Sequence, residues 1–239
     1  MASKARSFKS VALDYANAVV SGTKIAGKEI VAAARRFLDD LKNPAFELHT
    51  REPDFIVNVI ERTMTHKQGE AMDGTPLVGK PIILEPWQIF IVYNLVGFYL
   101  RGTNERRFKE AWIMVARKNG KTSFLACLAW GLSLLDRRSG SSMYIVAGSA
   151  KQACQSFDVI VKSLQRNGMI DEFRVLNNNR EHSIETTFYD DEGNADGSIR
   201  IEALARIPTR RILSTALSRS PTKFIRSKRP RNTTDSKKL

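Results

Sequence analysis

Between residues 111 and 123 the chain reads Ala-Trp-Ile-Met-Val-Ala-Arg-Lys-Asn-Gly-Lys-Thr-Ser, an apolar run that stops at a basic, turn-forming stretch. Trp112 to Ala116 leave no room for a polar face, which predicts a strand buried on both sides of a sheet. The chain must then turn sharply. Asn119 tolerates unusual backbone angles, and Gly120 lets the main chain approach a ligand without a β-carbon in the way. Phe124, Leu125, Leu128, Leu132 and Leu135 follow at helical spacing, so the turn leads into a helix ending near Arg137-Arg138-Ser139-Gly140. A helix N-terminus offers N–H groups and a positive dipole end to an anion. The loop from Asn119 to Ser123 is thus a candidate cradle for a nucleoside triphosphate. Lys121 would reach its β- and γ-phosphates, and the Thr122 hydroxyl would bind Mg²⁺.

The fingerprint is incomplete. The usual Walker A pattern of glycine, four residues and Gly-Lys-Ser/Thr would place its first glycine at position 115, where the chain has Val115. An ordinary strand-to-helix turn carrying a surface lysine is the alternative, so the context of the loop matters.

Upstream, Val11 to Leu41 has helical periodicity broken near Ser21-Gly22, which predicts two helices, the second with Ile30, Ala33, Ala34 and Phe37 on one face. Asp54 is positioned to cap a third, carrying Phe55, Val57, Val59 and Ile60, before a polar, glycine-containing stretch at 66–80. Pro86 then opens a buried helix with Ile89, Phe90, Val92, Leu95, Val96 and Phe98. Trp87 offers a stacking face and the Gln88 amide can donate to and accept from an adenine edge; core filler and a solvated helix start are the plainer readings.

Downstream, Met143 to Ala147 predicts another buried strand, which with the phosphate loop makes a strand, helix, strand unit with a right-handed crossover. A helix from Ala150 to Gln165 follows, with Ala153, Phe157, Ile160 and Leu164 on one face. Ile184 to Tyr189 and Ser198 to Leu204 then alternate around a turn at 190–197, a hairpin signature.

The chain has 239 residues and a formal charge of +13, but the charge is uneven. From Arg206 onward eleven Lys and Arg face one acid, Asp235, so the first 205 residues carry only +3. This tail has few large apolar residues and cannot build a core. Its basic character suits DNA phosphates or a solvated tail. No stretch has the length of a membrane span or the form of a secretory leader, and a cytoplasmic protein is expected. Cys127 and Cys154 sit among apolar residues on predicted helices, as buried reduced thiols would. His49, His66 and His182 are scattered and read as surface or loop residues.

Three stretches, Glu85-Pro86-Trp87-Gln88, Ala116-Arg117-Lys118-Asn119-Gly120-Lys121-Thr122 and Ala147-Gly148-Ser149-Ala150-Lys151-Gln152-Ala153, resemble in order and spacing the large terminase subunit of tailed bacteriophages. The similarity runs from about residue 12 to about residue 204. It implies an α/β P-loop NTPase of the additional-strand type, with a mostly parallel sheet, flanking helices and a helical N-terminal lead-in, here incomplete. The expected divisions are a lead-in at 1–80, a partial ATPase core at 81–205 and a basic, disordered or frameshifted tail at 206–239. Terminase loops depart from the standard pattern, with an early basic residue acting on the γ-phosphate from the same chain, and Arg117 matches it.

The resemblance implies ATP and Mg²⁺ as ligands, Arg117 and Lys121 as catalytic residues, and Trp87, Gln88, Asn119, Gly120, Lys121, Thr122 and Ser123 around the nucleotide. The Gln152 segment would couple nucleotide to DNA. It further implies ATP-driven movement of double-stranded DNA into a procapsid, a portal protein and a small terminase subunit as partners, a homo-oligomer, and the bacterial host cytoplasm as location.

The departure from the family lies after the hairpin, where a strand ending in Asp-Glu should supply a metal ligand and a water-activating base. None is evident. Asp190-Asp191-Glu192 lies in a solvated turn and Asp136 on the helix after the loop. The expectation is therefore a chain that binds ATP and hydrolyses it poorly, without the nuclease activity of the intact subunit, and with the frame shifted near Ala205. Two other readings remain open: a non-catalytic DNA-binding protein acting through its tail, and another P-loop ATPase such as a helicase-like enzyme.

Overall fold

The computed structural model describes residues 7–178, 181–205 and the backbone of 223–226. Two helices open it, α1 (Phe8–Val20) and α2 (Lys28–Asp40), where the periodicity places them. A short strand β1 (Phe46–Leu48) precedes α3 (Arg51–Thr63). Helix α4 (Pro86–Val96) starts with proline in its first turn, where the missing N–H costs nothing, and β2 (Phe98–Leu100) follows it to pair antiparallel with β1. Then come α5 (Lys121–Leu135), β3 (Ser141–Ala147) and α6 (Ala150–Arg166). Strands β4 (Arg174–Asn177), β5 (His182–Tyr189) and β6 (Ala195–Ala205) complete the body, and β7 (Lys223–Arg226) lies in the basic segment.

The five-stranded sheet has the order β4-β5-β6-β3-β7. β3 runs parallel to both β6 and β7, whereas β4, β5 and β6 form an antiparallel meander. The sheet is therefore mixed, not mostly parallel. Helices α5 and α6 pack on β3 and β6, burying Met143, Ile145, Ile199, Ile201 and Ala203. Arg200 stands on the other side of β6, with its guanidinium on Glu181 and Glu185, so this sheet is polar on one face, as antiparallel sheets commonly are.

Helix α5 is buried almost all round, from Phe124 and Ala126 through Ser133, which makes it the central rod of the molecule. Gly131 allows α3 to approach it: a β-carbon there would lie 2.9 Å from Ile56 Cγ2. The fully buried Trp130 donates from Nε1 to Thr63 Oγ1 at 2.9 Å. Phe37 meets Phe90 and Phe98 edge-on at 5.2 and 5.4 Å, so lead-in and core share one hydrophobic cluster. Polar contacts add to it, Ser163 Oγ accepting the Thr65 amide at 2.9 Å and Lys67 pairing with Asp158 at 2.9 Å.

Several expectations are corrected. Trp112 to Ala116 form no strand: Trp112 and Met114 are 75% and 98% exposed, and only Ile113 and Val115 turn partly inward. The run is apolar enough for a sheet interior, but no strand flanks it among the described residues. The expected strand, helix, strand unit is thus only helix and strand, and the parallel crossover instead links β3 to β6 through α6. Phe98 begins β2 because the helix stops at Gly97, where an added β-carbon would lie 2.9 Å from Leu48. Thr50 occupies the cap position of α3; Asp54 sits within the first turn and accepts from the buried Tyr93 hydroxyl. Cys127 is buried, but Cys154 is only half-buried. His49 stacks on Tyr99 at 4.4 Å and pairs with Glu47 at 3.0 Å, more constrained than a surface histidine.

Candidate nucleotide site

The turn into α5 carries the site. Lys118 has φ 68° and Gly120 has φ 66°, two left-handed residues flanking Asn119. Sequence reasoning assigned the unusual geometry to Asn119 and Gly120; the structure gives it to Lys118, the non-glycine residue with positive φ among those described. Nothing lies within 4 Å of a β-carbon built on Gly120, so glycine serves here for its dihedral angle and for an open approach. Alternating backbone of this kind turns successive N–H groups toward one concavity, a recurrent anion-binding form. The first amides of α5 have no intrahelical acceptor, and no side chain caps them.

Around this turn Arg117, Lys118, Asn119 and Thr122 are exposed, and Lys121 and Ser123 are half-buried. No ion pair holds Arg117, Lys118 or Lys121 among the described residues, so three cationic groups project at the helix start. That combination suits a polyanion. Thr122 supplies one hydroxyl of the type that binds Mg²⁺.

Trp87 is half-buried and packs on Phe124, in the first turn of α5, with ring centroids 5.5 Å apart. This contact brings the Pro-Trp-Gln stretch to the phosphate-loop helix, and Phe124 is a residue that sequence reasoning placed only in the core. Gln88 is half-buried, and its Oε1 accepts the Glu85 amide at 2.8 Å, closing a capping box. The three-residue spacing of Glu85 and Gln88 before an apolar run was the available signal for it. Ser149 caps α6, accepting from the Gln152 amide at 3.4 Å.

The carboxylates near the expected catalytic region are engaged elsewhere. Asp190 accepts the amides of Asn194 at 2.7 Å and Glu192 at 3.0 Å in an exposed turn, and the Asn194 amide above all holds its carboxyl below the usual range. Asp136 ends α5 and is paired with Arg106 at 3.0 Å. Among the described residues no cluster of three or more His, Cys, Asp or Glu could hold a metal ion, and no helix is long and apolar enough to cross a membrane. Of the segment after Ala205, only Lys223–Arg226 is described, a strand whose sequence contains no acid; the remaining tail lies outside the described residues.

Residues 86–196 match the family model of the terminase large subunit, ATPase domain. The match begins at the first residue of α4 and spans the turn at Lys118–Gly120, α5, β3, α6 and the hairpin into β6. No curated protein and no solved structure matches the chain. Motif order, the α/β architecture and the family model agree, and through residues 86–196 the chain belongs to the terminase large-subunit ATPase family.

Proposed function

We propose that this chain binds Mg·ATP at the start of α5 as part of a motor that moves double-stranded DNA into a procapsid. The observation that carries the reading is the left-handed Lys118–Gly120 turn, which opens a buried helix beside the unpaired Lys121. In it the amides of Asn119 to Ser123 cradle the phosphates, Lys121 holds the β- and γ-oxygens, and Thr122 holds the metal. Bound Mg²⁺ neutralises phosphate charge. Arg117, exposed and one residue ahead of the turn, stabilises charge developing at the γ-phosphate, a task suited to a guanidinium. Trp87 and Gln88 bound the far end of the site, and the Gln152 segment couples it to DNA.

Turnover is expected to be feeble. Activating water and completing a metal site need carboxylates, while Asp190 is tied into its own turn and Asp136 into Arg106. Double-stranded DNA, a portal protein, a small terminase subunit and further copies of the chain are the proposed partners, in the cytoplasm of a bacterial host.

Calorimetric titration of the full chain with Mg·ATP, alongside phosphate release, tests this. Binding abolished by Lys121→Ala, with little or no phosphate released by the wild type, supports the proposal. Binding that survives Lys121→Ala overturns the site, and brisk Lys121-dependent turnover overturns the catalytic deficiency. Salt-sensitive DNA binding without any nucleotide binding would favour the basic segment as the active part.

A further inference from the structure

Gln88 is the third residue of α4, and its Oε1 is turned back onto the Glu85 amide at 2.8 Å. Its neighbour Trp87 lies against Phe124 in the first turn of α5, 5.5 Å between ring centroids. A side chain that fixes the start of α4 thereby fixes the indole that rests on the phosphate-loop helix. Reading adenine makes a different demand. The 6-amino group donates and the adjacent ring nitrogen accepts, so an amide must present both its carbonyl and its NH₂ to the base. In Gln88 the carbonyl already serves the backbone, and swinging it outward would leave the Glu85 amide without that acceptor. The NH₂ alone is a donor, and adenine and guanine both offer ring-nitrogen acceptors.

Resting on the nucleotide-binding reading above, we propose that Gln88 is a positioning residue that holds Trp87 on the phosphate-loop helix, and that the site takes purine nucleoside triphosphates with little distinction between adenine and guanine.

The test is a fluorescence titration of the full chain with N-methylanthraniloyl-ATP and N-methylanthraniloyl-GTP in Mg²⁺, using the wild type, Gln88→Ala and Gln88→Glu. Glutamate at the third helical position keeps the capping acceptor but has no N–H, so it separates the two roles. The expected wild type binds both nucleotides within about threefold of each other. Gln88→Ala should weaken both together by roughly three- to tenfold, the size of a lost cap. Gln88→Glu should restore wild-type affinity for both. The proposal is overturned by a wild-type preference for ATP above about tenfold that Gln88→Glu removes, or by Gln88→Glu failing as Gln88→Ala does. A wild type that binds neither nucleotide overturns the nucleotide reading itself and this role with it, whereas loss of rescue in a chain that binds overturns the positioning role alone.

Discussion

The indole of Trp87 rests on the ring of Phe124, centroids 5.5 Å apart and planes inclined at 59°. It joins the first turn of α4 to the first turn of α5, the two ends of the proposed nucleotide site. Phe124 is 3% exposed, so truncating it removes packing as well as the ring pair.

Phe124→Ala should cost about 3–5 kcal/mol and Trp87→Ala less, because the indole is only half-buried. In a double-mutant cycle by urea denaturation the pair should couple by about 0.5–1.5 kcal/mol. Strict additivity would show that the two rings do not hold each other.

The left-handed turn gives opposite expectations for its two residues. A side chain at positive φ costs about 1–2 kcal/mol, and replacing it with glycine gives back roughly 0.4–1 kcal/mol through the freer unfolded chain. Lys118→Gly should therefore stabilise slightly, by about 0.5–1 kcal/mol, while Gly120→Ala should destabilise by about 1 kcal/mol. Thermal or urea unfolding reads both. A Gly120→Ala variant as stable as the wild type would show that the turn is not held in this conformation in solution.

These residues also mark how far sequence reaches. Periodicity shows α1, α2, α5 and α6 because each has an apolar face of period 3.6, and Pro86 marks the start of α4 because its ring fits only a first turn. The phosphate-loop lysine and threonine were legible from spacing. Burial of Trp112 to Ala116 was not, because an apolar run reports what a segment prefers and not whether strands stand beside it. Lys118 escaped notice because its dihedral angle is imposed by the turn against its own preference. The engagement of Gln88 escaped because one amide serves a cap and a base edge equally well until geometry decides.

The approach of α3 to α5 has a sign that magnitudes decide. Alanine is favoured over glycine inside a helix by about 1 kcal/mol, so Gly131→Ala would stabilise an open helix. Here the new methyl would meet Ile56 Cγ2 at 2.9 Å, and Ile56 is fully buried and β-branched, with no flexible end to move aside. Overpacking costs about 1–3 kcal/mol, which outweighs the propensity. Gly131→Ala alone should destabilise by about 1 kcal/mol, and in an Ile56→Ala background the same change should stabilise. Equal effects in both backgrounds would refute the contact.

Burial of Cys127 predicts how stability follows alkaline pH. Its thiol is pushed up to about 12 by desolvation, from an ordinary value near 9.0. A raised folded-state value means that the unfolded chain releases this proton first as pH rises, so the contribution is complete below about pH 9 and is lost between about pH 9 and 12. Above pH 9 each further unit should cost up to about 1.4 kcal/mol from this thiol. The buried Tyr93 hydroxyl, also raised by desolvation and by Asp54, adds the same sign above its ordinary value. Urea denaturation at pH 8, 9, 10 and 10.5 should show the decline, and Cys127→Ala should flatten its thiol component. The same burial makes Cys127 unreactive toward an aromatic disulfide at pH 8 in the folded chain, while half-buried Cys154 reacts. Two thiols titrating together without denaturant would place Cys127 outside the core.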